Sequence, residues 1–411
     1  MFYVVVAIIL FSYLLDLVIE TLNLKRISNE IPVDFKGLYD QEKYKKSQDY
    51  LRTNTKFGLI QSTFSTILLL AFIFLDGFLL LDTWVRAQTE TPILQGLLFI
   101  GVFVFASMIL ALPFSYYQTF VIEEKFGFNK QSLGTFIKDQ IIALLLGSIL
   151  GGSLLSLILW FFESSGSNAW LFCWVAVVAF QIFVTFLAPV VIMPLFNKFI
   201  PLPDGELKTA INEYAKKQNF ELQGIFSMDG SKRSSKANAF FTGFGKLRRV
   251  VLFDTLISKH SIQELVAVLA HEIGHFKLKH IHRHLVVSVL SSGVMFFLLG
   301  LFMKNETMFA AFNVPNASVY MSLIFFSLIY SPVSDLMSLV SLHMSRKYEF
   351  EADEFAVKTY GSPTELANAL KKLSVDSLSN LNPHPLKVFF EYTHPPVIER
   401  VRKLHSLSIQ R

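Results

Sequence analysis

The stretch Leu269–His280, LAHEIGHFKLKH, puts His271 and His275 four residues apart, with Glu272 directly after the first histidine. Four residues make just over one helical turn, so on a helix both imidazoles share a face and can aim at one point. This is the H-E-x-x-H arrangement that suits zinc, with two nitrogen ligands and a carboxylate beside them. Zinc used this way lowers the pKa of its bound water, and the glutamate accepts the proton and later passes it to a leaving amine. The blander alternative is two histidines at the end of an apolar helix. Upstream, Ser261 followed by Glu264 forms a capping box that starts the helix.

A hydrolytic zinc needs a third protein ligand and one open position. The run Ser345–Ala356, SRKYEFEADEFA, supplies a candidate in Glu349, with Asp353 four residues on and hence on the same helical face. Glu349 can bind the metal while Asp353 hydrogen-bonds a ligand imidazole from behind. The competing reading is a solvated acidic face beside Arg346 and Lys347.

Around these motifs the chain is built for lipid. Of its 411 residues 52% are hydrophobic and 17% charged, with 42 Phe, and the mean hydropathy is +0.47. A soluble domain of this length rarely carries so little charge. The net charge of +5 is spread out, which argues against a nucleic-acid surface. Cys173 is the sole cysteine, so a disulfide within the chain and a cysteine-based metal site are excluded.

Seven apolar runs are long enough to cross a bilayer as helices, roughly 2–22, 59–81, 93–116, 141–162, 170–194, 285–303 and 319–342. The first lacks a basic start and a cleavage site and reads as a retained helix rather than a signal peptide. Lysines and arginines crowd the segments after the first and third runs, while the alternate connections offer only Arg86 and Lys304. The positive-inside bias therefore expects the N-terminus outside, and the segment from Lys198 to Arg283 and the C-terminal tail in the cytoplasm.

This divides the chain into a membrane part with five spans (1–196), a catalytic part with the H-E-x-x-H helix (197–283), two further spans (284–345) and a C-terminal catalytic segment (346–411). In the second part, 207–218 reads as an amphipathic helix with Leu207, Ile211, Tyr214 and Ala215 on one face. The runs GIFSM, NAFFTGF and RRVVLFDTLI read as strands. In the fourth, Ser362, Pro363 and Glu365 predict a second boxed helix start. Asp76 and Asp335, at membrane depth, are expected to face protein or water.

The motifs LAHEIGH, SRKYEFEAD, SKRSSKANAFFTGFGKLRRVVLFDTLI and HPPVIERV together resemble those of the type I CaaX prenyl protease family, integral-membrane zinc endopeptidases. The resemblance extends over most of the chain, including the seven spans and YDQEKYKKSQDYLRTNTKFGLI. It implies an all-α polytopic fold whose helices form a barrel-like, water-filled chamber, with a cytoplasmic metalloprotease domain containing a small β-sheet. It implies one zinc per chain held by His271, His275 and Glu349, Glu272 as general base, and Asp353 behind the ligands. Asn238 and Ala239 would lie beside the scissile bond on an edge strand that pairs with the substrate backbone. His394 would donate to the tetrahedral oxyanion, on a turn stiffened by Pro395 and Pro396, with Arg400 holding this segment against the acidic site. The implied substrates are peptides bearing a prenylated cysteine, or other membrane-proximal chains, with the lipid resting among the membrane helices. An endoplasmic reticulum or a bacterial inner membrane fits equally.

Two other readings remain at this point. A site-2-type intramembrane protease also uses H-E-x-x-H, and LDG at 75–77 is a tempting partner, but that class takes its aspartate from downstream of the zinc helix. A transporter or membrane chaperone with a structural zinc would want four Cys or His ligands, and no cysteine is near. Histidines 260, 280, 282, 284, 343, 384 and 405 read as surface or interfacial residues.

Overall fold

A computed structural model gives the conformation of residues 1–242 and 248–409. Seven helices among them are long and apolar enough to cross a membrane: α1 (Phe2–Leu24), α2 (Gln41–Phe74), α4 (Pro92–Phe126), α5 (Leu133–Ser164), α6 (Gly166–Phe196), α9 (His280–Phe302) and α10 (Val319–Tyr360). Their outer surfaces carry exposed apolar side chains such as Ile149, Leu290 and Leu336, as lipid-facing helices do. Between α1, α2 and α10 lies a cavity of about 400 Å³ lined in part by Ser12, Asp16, Ser62, Thr66 and Ser331, so polar side chains turn inward.

The second span differs from its expected bounds. Helix α2 begins at Gln41, capped by the Asp40 carboxylate, and stops at Phe74, after which the chain restarts as α3 (Gly77–Gln88). Hydropathy runs straight across this break, so composition could not show it. Asp76 makes the corner with φ of 52°, and its carboxylate accepts from Asn313 Nδ2 at 3.0 Å. Gly77 is required there, because a Cβ would come within 2.4 Å of the Phe72 ring. Asp335 is exposed on α10.

The non-membrane part interleaves two chain segments around one apolar core. Strands β1 (Phe199–Pro201), β2 (Gly224–Met228), β3 (Ala239–Thr242) and β4 (Arg249–Phe253) form a sheet of order β1-β2-β4-β3. The β2–β4 pair is parallel, and β1 and β3 add antiparallel at the two edges. Helix α7 (Glu206–Lys217) buries Ile211, Tyr214 and Ala215, the face its periodicity predicts. Those residues pack with Val250 and Leu252 of the sheet, Leu265, Leu269 and Ile273 of α8 (Ile262–Lys277), Leu366 of α11 (Pro363–Asp376), and Val401 of α12 (Val397–Ile409).

Two local expectations need adjusting. The third strand ends at Phe253, and Asp254–Ile257 is a short helix, because Asp254 Oδ1 accepts from the Ser231 and Thr255 amides and pins a turn. Ser362 precedes α11 without a capping hydrogen bond; Pro363 starts that helix unaided. Residues 243 and 244 of the predicted second strand lie outside the described residues.

The connections after the first, third and fifth spans and the C-terminal segment all meet at one end of the bundle. Arg402 Nη2 reaches Asp34 at 2.9 Å, Lys236 Nζ reaches Glu123 at 2.9 Å, and Arg233 forks onto Asp139 at 2.7 and 2.8 Å. Each such pair adds modest stability, but together they fix which loops share a face.

Candidate active site

Helix α8 starts where Ser261 accepts from the Glu264 amide and Glu264 bonds back to the Ser261 amide, the predicted capping box. It lies against the last turns of α10, the 42-residue helix that carries the seventh span straight out of the membrane region. Gly274, inside HEIGH, permits the contact: a Cβ there would sit 3.2 Å from both the Cα and the carbonyl oxygen of Ala352. That approach brings His271 and His275 to Glu349, although the sequence separates them by more than seventy residues.

Three ligand groups converge. His271 Nε2 and His275 Nε2 are 3.1 Å apart, and Glu349 lies 3.5 Å from the first through Oε2 and 3.3 Å from the second through Oε1. One ligand atom from each residue lies within 4.8 Å of the others, and the 3.1 Å between the imidazoles is close to the roughly 3.3 Å that separates two ligands of one tetrahedral zinc. At 3.1 Å the two imidazole nitrogens can share one proton or, as ligands, turn both lone pairs to one ion. The Glu349 Oε2 atom is buried and receives no well-formed hydrogen bond, although Arg400 Nη1 is 2.8 Å away. The donor set of two imidazoles and a carboxylate, with an open side, fits a catalytic zinc.

Behind this cluster sits an ionic frame. Asp353 Oδ1 is 2.9 Å from His271 Nδ1, which turns that ring's Nε2 towards the cluster. Arg400, on α12, donates to both Asp353 oxygens at 2.8 and 2.6 Å. Arg400, Asp353 and Glu349 are all buried. Burial alone would lower the proton affinity of His271, but hydrogen bonds to Asp353 and Glu349 outweigh it and push the imidazole up to about 9. Burial also raises Glu272 from its ordinary value, against the nearby histidines, a direction that suits a proton acceptor at neutral pH. For Arg400 burial opposes the charge, but the Asp353 and Glu349 carboxylates more than compensate and hold it protonated.

A cavity of about 520 Å³ opens in front of the cluster, with Glu272, Asn238, Ala239, His394 and Arg400 among its lining residues. Among the described residues strand β3 is an edge of its sheet and pairs with β4 alone. The Asn238 carbonyl accepts from the Phe253 amide, so by antiparallel alternation Ala239 and Phe241 turn their backbone groups to the free edge. His394 projects into the cavity with its side chain 64% exposed; Nε2 lies 3.4 Å from Glu349 Oε1, and Nδ1 meets Thr393 Oγ1 at 2.8 Å. Its setting in the cleft lowers its proton affinity despite the pull of Glu349. It stands outside the three-ligand cluster.

Every site residue singled out in the sequence thus comes to one cavity or the frame behind it. Two histidines were misplaced. His280 is buried, not interfacial: its Nδ1 is 3.0 Å from His275 Nδ1, and its Nε2 is 3.0 Å from Glu351 Oε2. His260 is also buried, with Nδ1 3.2 Å from the Leu256 carbonyl. Asp76 of LDG is bonded to Asn313 in the connection between the sixth and seventh spans, not drawn to the histidines.

A polytopic helical membrane protein with a metal-binding H-E-x-x-H helix, a downstream glutamate and an edge strand beside them is a membrane metallopeptidase. The chain belongs to peptidase family M48: that family's model matches residues 201–408, and the model of the CAAX prenyl protease N-terminal region, five membrane helices, matches residues 20–198. It is 36% identical over 386 residues to the CAAX prenyl protease 1 homolog of Arabidopsis thaliana, covering 91% of this chain and 90% of that one. With the CAAX prenyl protease 1 of Saccharomyces cerevisiae it shares 34% identity, covering 93% and 90%. The crystal structure of S. mikatae Ste24p superposes with a TM-score of 0.93 at 32% identity, covering 98% of both chains. The site-2-type and non-enzymatic readings are thereby set aside.

Proposed function

We propose that this enzyme hydrolyses peptide bonds in prenylated CaaX-type or other membrane-associated proteins, using one zinc held by His271, His275 and Glu349. The observation that carries the reading is the convergence of His271, His275 and Glu349, with pairwise contacts of 3.1, 3.3 and 3.5 Å, facing an edge strand across one cavity. Zinc bound there would polarise the scissile carbonyl and lower the pKa of the attacking water.

This chain's own groups then have separate tasks. The free edge at Ala239 pairs with an extended substrate, and the Asn238 side chain lies beside the bond to be cut. Glu272 takes the proton of the attacking water and later delivers it to the leaving amine. His394 donates a hydrogen bond to the oxygen on which charge develops. Asp353 and Arg400 hold His271 and Glu349 in place. The basic loops that meet at the site's end of the bundle support a cytoplasmic zinc site, in an endoplasmic reticulum or a bacterial inner membrane. The lipid of a prenylated substrate would rest among the apolar helices below.

The test is cleavage of a farnesylated CaaX peptide beside its unprenylated twin by the purified, reconstituted chain. Preferential cleavage of the farnesylated peptide is expected. Equal cleavage of both would remove the prenyl group from recognition, and cleavage of neither would move the substrate to another membrane-proximal class.

A further inference from the structure

The two imidazoles of the cluster are held from behind in different ways. His271 meets a carboxylate directly, through Asp353. His275 has no carboxylate behind it, and its Nδ1 faces the Nδ1 of His280 at 3.0 Å. The far nitrogen of His280 is 3.0 Å from Glu351 Oε2. One proton arrangement satisfies all four atoms. Glu351 accepts from His280 Nε2–H, which leaves His280 Nδ1 with a lone pair, and that lone pair accepts from His275 Nδ1–H. The His275 Nε2 lone pair is then free and points at the cluster.

The backbone makes this arrangement on purpose-built geometry. Continued helix would put a residue five positions after His275 about 140° around the axis, facing elsewhere. Instead α8 stops at Lys277 and Lys279 turns in the left-handed region at φ of 59°, so α9 begins at His280 and the ring swings back. The ring is then locked. It stacks on Tyr348 with centroids 4.2 Å apart and planes 7° from parallel, and its side chain is 2% exposed. Arg283 and Lys347 flank Glu351 at 3.6 and 3.8 Å.

We infer that Glu351 and His280 are a positioning pair that fixes the tautomer and orientation of His275 for metal binding. Glu351 comes from the same helix as Glu349 and Asp353, so one helix supplies the ligand carboxylate and both orienting carboxylates. The inference rests on the proposed ligand set. Supports of this kind, when removed, weaken a metal site roughly 10- to 100-fold.

A packing role for His280 and an orienting role predict different outcomes for the same substitutions. His280→Phe keeps an aromatic ring on Tyr348 and removes the acceptor. His280→Gln keeps an acceptor and loses the stack. Zinc affinity of the purified full-length protein, measured by chelator competition, should fall roughly 10- to 100-fold in His280→Phe and recover in part in His280→Gln. Glu351→Ala, at a half-exposed position less prone to misfolding, should fall by a similar factor. Wild-type affinity in folded His280→Phe and Glu351→Ala overturns the inference. His271→Ala runs alongside: if it too keeps full zinc affinity, the ligand set itself is wrong, and if it alone loses zinc, only the orienting role fails.

Discussion

Arg400 is the residue whose removal should hurt the folded protein most for its size. Its guanidinium bridges Asp353 and Glu349, its side chain is 8% exposed, and the two carboxylates are 3% and 6% exposed. Substitution by methionine keeps much of the volume and leaves the two buried carboxylates short of one counter-charge. Breaking a buried pair by removing one partner costs about 3–5 kcal/mol. For 411 residues that corresponds to a fall in Tm of roughly 3–6 °C, at about 1.2 °C per kcal/mol.

The measurement is thermal unfolding of zinc-stripped, detergent-solubilised protein, wild type against Arg400→Met. Adding zinc should narrow the gap, because a dication among the same carboxylates supplies the missing positive charge. Arg400→Lys should fall between the two, since an ammonium restores charge but cannot fork onto both oxygens of Asp353. A metal-free Arg400→Met protein that melts within a degree of wild type would refute the account of the frame.

The remaining predictions concern protons, topology and catalysis. The proton that His271 gains on folding contributes stability that is full below its unfolded pKa of 6.5 and is lost as pH rises through about 9. Metal-free protein should therefore lose Tm across that window, zinc-loaded protein should show much less slope, and identical profiles would contradict the assignment. Cysteines introduced at Lys232 and Ser167, both exposed, should react with an impermeant reagent from opposite sides, Lys232 from the cytoplasm; the reverse pattern would overturn the orientation. Glu272→Gln should keep zinc and lose turnover, because an amide cannot accept the water's proton. His394→Ala should keep zinc and lose roughly 10²- to 10³-fold in kcat with KM little changed; zinc loss instead would make it a ligand.

What could be read from sequence divides by the range of the interaction. Helix spacing is local, so His271, Glu272 and His275, the box at Ser261, and the pairing of Glu349 with Asp353 were all visible as residues one turn apart. Long apolar runs report their own environment, and all seven spans appeared. The break at Asp76 did not, because it depends on Asn313 from a distant loop and on the Phe72 ring packing over Gly77. The bringing together of α8 and α10 is implied only by the need for a third ligand and by the resemblance, since nothing in the residue types of HEIGH announces that its glycine will touch Ala352. His280 shows the limit most clearly. Its five-residue distance from His275 is wrong for a helix, and a left-handed lysine between them makes it right. Helical periodicity rejects such a pair, although the sequence does carry one trace of it: the second half of LAHEIGHFKLKH ends on a histidine after two lysines, where an uninterrupted apolar span would have had neither. A charged interruption directly before a membrane helix marks a change of direction, and a histidine at that corner can turn back on the motif that precedes it.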